Sequence, residues 1–169
     1  MLLTEINNST EHLFEPSKKI ILLRFILLSI ISFWIFGFLL PTITSANNTL
    51  PGFLLSRVYS KVCHQESIKC ISIGNASMMV CSRCAGIYFG AFSAGLLSLL
   101  LIVPSISRRV LILSAIPLAI DVFFTFTGVY NYSQGLAFAT GLVFGGVVYL
   151  FLLNELENLF SKKPFQGNE

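Results

Sequence analysis

Charge is what this sequence has least of. Asp, Glu, Lys and Arg make up 11% of its 169 residues, against roughly a quarter in an ordinary soluble domain. Its hydrophobic share of 54%, with 16 Phe mostly inside long apolar runs, is more than a soluble globule of this length can hide. Lipid solvates such surface, so the chain reads as a one-domain integral membrane protein with the lipid bilayer as its first partner. There is no Gly-rich phosphate loop, no nucleophile–base signature and no basic groove. The net charge of +3 is spread in pairs, which speaks against a nucleic-acid partner and for topology signals. Cysteine is absent outside one window. All four fall between Cys63 and Cys84, and the two histidines are His12 and His64. Cysteines scattered through membrane helices would be small apolar fillers. Clustered ones fit a metal site, a redox pair or a disulfide framework.

Four apolar runs predict an all-α polytopic bundle of four transmembrane helices. Residues 1–19 form a polar tail with Glu5, Glu11, His12 and Glu15, closing on Lys18 and Lys19. Residues 20–153 form the membrane domain, with spans at about 20–40, 85–103, 110–130 and 135–153. Residues 154–169 form a second tail. The first run is long enough to cross roughly 30 Å of hydrocarbon. It is also longer than the h-region of about 7–15 residues in a signal peptide, although Thr44-Ser45-Ala46 would suit cleavage. Arg24, one turn inside, is expected to snorkel back to the headgroups. Gly86 with Gly90, and Gly141 with Gly145, form two Gly-x-x-x-Gly faces that suit close helix packing or a homo-oligomer.

The long loop 41–84 holds the chemistry. Leu50, Leu54, Val58 and Val62, with Leu55 and Tyr59 alongside, recur at helical spacing. They predict a short amphipathic helix, lying in the interface or packed on the bundle, that delivers Cys63 and His64 at its end. Basic residues then orient the protein. Lys18, Lys19, Arg108, Arg109, Lys162 and Lys163 share one side of a four-span chain, and Arg57, Lys61, Lys69 and Arg83 lie on the other in one longer loop. The positive-inside rule places both termini in the cytoplasm. The cysteine segment then faces the extracytoplasmic side, where disulfides persist.

Cys81-Ser82-Arg83-Cys84 is a Cys-x-x-Cys, a spacing that points two sulfurs into one site across a single turn. That geometry serves zinc-like thiolate coordination or a two-electron dithiol. With Cys63 and His64 folded back from upstream, the candidate soft-metal set is Cys63, His64, Cys81 and Cys84, with zinc ahead of copper. Cys70 in place of His64 gives a four-cysteine set, and adjacent residues such as Cys63 and His64 rarely serve one ion together. Helix N-terminal amides and Arg83 both favour thiolates here. A structural disulfide, or a redox pair of Cys81 and Cys84, uses the same residues. In the third span Asp121 is an ionisable group in hydrocarbon, expected to face the bundle interior as a polar site. Pro117 one turn earlier frees a carbonyl beside it.

Cys63-His64-Gln65 followed by Cys81-Ser82-Arg83-Cys84-Ala85-Gly86-Ile87-Tyr88-Phe89-Gly90 resembles the hallmark of a prokaryotic membrane-protein family, the domain of unknown function numbered two-zero-eight-five. The resemblance runs from about Val62 to Gly146. It implies a small multi-spanning protein, marks the two cysteine blocks and an intramembrane Asp matching Asp121, and supplies no reaction. Where the family pattern has Arg-Ser after its Cys-His-Gln, this chain has Lys69-Cys70, which implies that Cys70 lies outside the shared site. Gln134 and Ala137 stand where the pattern has an Asn and an Arg ahead of Thr140-Gly141, which implies that Asp121 lacks that arginine partner. Three functions remain open: a soft-metal membrane protein, a quinone-linked thiol–disulfide oxidoreductase, and an accessory subunit of a membrane complex with a structural disulfide.

Overall fold

A computed structural model describes residues 18–44, 50–73, 76–100 and 106–161. The polar tail 1–17, the residues Ser45 and Ala46 of the cleavage reading, the end of the second span at 101–103 and the tail from 162 onward lie outside the described residues. The elements run α1 (Lys18–Thr44), α2 (Leu50–Tyr59), a 3₁₀ turn (Ser67–Lys69), β1 (Cys70–Ile73), β2 (Ala76–Cys81), α3 (Ser82–Leu100), α4 (Arg108–Phe126) and α5 (Gln134–Ser161). Four of these helices are long and apolar enough to cross a membrane, over Ile20–Leu40, Ser82–Leu100, Arg108–Phe126 and Gln134–Leu159. The fold is therefore the all-α membrane bundle that composition predicts.

The centre of the bundle is the contact of α3 with α5, which run parallel and backbone to backbone, from Gly86 beside Phe138 to Gly95 beside Tyr149. A Cβ at Gly86 or Gly90 would run into the carbonyls of Phe138 and Leu142. One at Gly141 or Gly145 would run into those of Arg83 and Ile87. The two Gly-x-x-x-Gly faces thus close on each other within one chain, and neither is left as a surface for a second copy. Helix α1 lies against α3 and β2, and α4 against α5. Their outer faces carry exposed large apolar side chains, such as Phe25, Phe33 and Phe36 on α1 and Ile112, Leu113 and Phe123 on α4. Water would penalise that surface, whereas hydrocarbon does not.

Helix boundaries depart from the hydropathy pattern where specific hydrogen bonds compete. The apolar run predicts a third span to Tyr130, yet α4 stops at Phe126. Gly128 takes a left-handed φ of 71°, its N–H reaches Thr125 O, and Val129 N–H reaches Phe124 O at 3.1 Å. Those two bonds satisfy the last carbonyls and end the helix. The helix of the fourth span, α5, does the opposite and runs on to Ser161, eight residues past the predicted end at Leu153. The cause is a partner for its charge: Glu157 accepts a hydrogen bond from Arg24 Nε at 2.8 Å. Arg24 also donates through Nη1 to the carbonyl of Ser98. Its guanidinium therefore ties α1, α3 and α5 together, where snorkelling to headgroups is the simpler expectation.

The loop 41–84 contains a hairpin that its apolar pattern does not announce. β1 and β2 pair antiparallel in the register Cys70↔Cys81, Ser72↔Ser77 and Ile73↔Ala76, with an irregularity between Cys70 and Ser72. The longer second strand leaves Met78, Met79 and Val80 all buried. Val80 and Met79 join Ile35 and Phe38 of α1, Tyr59, Cys63 and Ala85 in one core. An isolated two-stranded ribbon is marginal in water, so this one depends on α1 behind it.

Candidate metal centre

Three elements converge at the end of the bundle where α3 begins. Helix α2 ends at Tyr59, whose ring is 3% exposed and whose hydroxyl donates to Trp34 O on α1 at 2.8 Å. A turn then closes through Cys63 N–H to Tyr59 O at 2.9 Å. Two residues on, Gln65 holds a φ of 51°, unusual for a residue with a Cβ and costing on the order of 1 kcal/mol. Its side chain offsets that by gripping α2: Nε2 donates to Ser56 O at 3.1 Å, and Ser56 Oγ donates to Gln65 Oε1 at 3.2 Å. The Cys-His-Gln block is thus a turn in which Gln65 anchors and Cys63 points inward.

Cys63 is buried, while Cys81, the last residue of β2, and Cys84, in the first turn of α3, are half-buried. The three sulfurs lie within 4.8 Å of one another. Cys81 N–H donates to Cys63 Sγ at 3.2 Å. Hydrogen bonds from the Cys81 thiol, then the Cys84 thiol, then the Cys81 and Gln65 amides hold the Cys63 thiol far below the usual cysteine range, against the opposing cost of burial. Cys63 is therefore the sulfur of the three that its neighbours most favour as an acceptor. Three sulfurs gathered in this way are a donor set that fits a soft divalent ion, because binding replaces the thiol protons.

His64 follows a different course. It is exposed and is not among the donor atoms gathered here. The backbone reason is the one adjacency suggests: with Cys63 turned in, the next side chain is turned out. Cys70 is 2% exposed, and burial first, then the charges at Cys63 and Cys81, push its thiol up to about 11. The sulfur that the resemblance set aside therefore lies close enough to the site to feel it.

Asp121 does have an arginine, and it comes from the cysteine motif. Arg83 donates to Asp121 Oδ2 through both Nε, at 3.1 Å, and Nη2. The carboxylate is deeply buried and the guanidinium mostly so. Tyr130 donates its hydroxyl to Oδ1, brought there by the turn at Gly128. The Arg83 guanidinium also lies 5.8 Å from the Tyr132 ring centroid. The arginine of the family pattern is absent ahead of Thr140, and the partner that the sequence left open for Asp121 is Arg83 of the cysteine motif. Pairing alone makes the charge tolerable at this depth. Gln65, Arg83 and Tyr130 are the residues that sequence reasoning does not single out for these roles. The positive φ and the cross-bundle pairing leave no local pattern.

A family model described as Predicted membrane protein (DUF2085) matches residues 63–151, more than half of the chain. An uncharacterized protein of Methanocaldococcus jannaschii is 29% identical over 152 residues, spanning 82% of this chain and 94% of that protein. An uncharacterized protein of Methanothermobacter thermautotrophicus is 37% identical over 86 residues, spanning 50% of this chain and 78% of that protein. No solved structure matches.

Proposed function

The chain belongs to the Predicted membrane protein (DUF2085) family, and we propose that its working element is a soft-metal centre, zinc before copper, at the membrane surface. The observation that carries this is the meeting of three sulfurs from three separate elements within 4.8 Å. A disulfide framework would need two of them and would leave the third buried thiol without a task. A tetrahedral zinc-like ion uses all three. The ion would tie the end of α2, the hairpin and α3 into one unit and leave Arg83 to fasten that unit to α4.

The balance of basic residues supports an extracytoplasmic position for this centre, with both termini in the cytoplasm. The test is metal analysis with thiol counting on protein purified without chelators. About one ion per chain is expected, and Cys84→Ser should lose it. Stable wild-type protein that carries no metal and cycles a Cys81–Cys84 disulfide in a redox titration would replace this reading with the thiol–disulfide one. Labelling of single-cysteine variants in whole cells by a membrane-impermeant thiol reagent tests the side: reaction at Cys81 supports it, and reaction only after lysis reverses it.

A further inference from the structure

We propose that Cys70 is the fourth ligand of this centre, so that the site is a closed four-thiolate zinc site. This rests on the metal reading above. Cys70 and Cys81 are directly opposed across the hairpin. Residues opposed in an antiparallel pair send their side chains to the same face. Cys81 sends its sulfur toward Cys63 and Cys84, so Cys70 stands on the face that holds the centre. Its sulfur is not one of the three already within 4.8 Å. The assignment requires that sulfur to turn toward the other three on metal binding, a side-chain rotation rather than a refolding of the hairpin.

The backbone around Cys70 is held in place by parts of the molecule that also build the centre. Gln134 Nε2, at the start of α5, donates to Cys70 O at 3.1 Å. Ser82 Oγ, between the two motif cysteines, donates to Lys69 O at 3.1 Å. Tyr132, stacked by Arg83, reaches the same carbonyl. A buried thiol on a strand fastened at this point from two helices is placed for a structural duty. The other candidate, His64, is exposed and follows Cys63 directly in the chain. Four thiolates close the coordination shell, which makes the ion a structural tie with no position open to substrate.

The experiment is zinc K-edge X-ray absorption on the full-length protein, loaded with zinc in detergent, with chelator competition alongside. Four sulfurs at about 2.3 Å are expected in the wild type. In Cys70→Ser the count should fall to three sulfurs plus one lighter atom, with zinc held at least about tenfold more weakly. Cys70→Ala serves if the serine variant does not fold, and the wild-type count stands without either. Three sulfurs in the wild type, unchanged in the variant, overturn the assignment and leave the three-thiolate reading standing. Protein that retains no zinc at all overturns that reading, and this one with it.

Discussion

The two ends of the bundle are built with the same device and differ in what surrounds it. At one end Arg24 of α1 meets Glu157 of α5 and the carbonyl of Ser98 on α3. At the other, Arg83 of α3 meets Asp121 of α4, with Tyr130 on the remaining oxygen. Each pair lets an arginine sit among apolar helices because its carboxylate is buried with it. The Arg24 pair joins three helices, and no soft ligands are gathered there among the described residues. The Arg83 pair lies inside a Cys-x-x-Cys, so fastening α4 and presenting two sulfurs are done by consecutive residues. An intramembrane ion pair is therefore no sign of a functional site by itself. Its neighbours decide.

Stripping the metal should break the comparison most sharply. Structural zinc contributes on the order of 10 kcal/mol in small domains, so chelation should raise amide exchange across residues 63–84. Exchange near Arg24 and Glu157 should stay as it was, and equal loosening of both ends would show that the cysteine end has no metal of its own. Next in size are the ion pairs. Asp121→Asn and Glu157→Gln each strand a mostly buried arginine and should cost about 3 kcal/mol in detergent unfolding. They should part company on metal: Asp121→Asn also weakens zinc about 10-fold through Arg83, and Glu157→Gln leaves it unchanged. A smaller loss, about 1–3 kcal/mol, is expected for Gly145→Ala, whose added Cβ meets the Ile87 carbonyl between the two ends. It should lower thermal stability without changing the zinc count. Smallest is His64→Ala, within about 0.5 kcal/mol of wild type and with full metal content. Loss of zinc there would restore His64 as a ligand.

Much of this protein can be read without coordinates. Long apolar runs, sparse charge and a cysteine cluster require a membrane bundle with one chemically distinct loop, because spanning length and hydrocarbon burial depend on local composition. The Cys-x-x-Cys follows from spacing, and the loop before it is long enough to let Cys63 fold back. Tertiary structure alone decided which groups share a point in space. It separated Cys63 from His64, set Cys70 opposite Cys81 through the register of a hairpin, gave Asp121 an arginine 38 residues upstream, and closed the glycine faces on each other. Register, backbone turns and cross-bundle pairing are properties of distant segments held together, and adjacent letters in a sequence carry no trace of them.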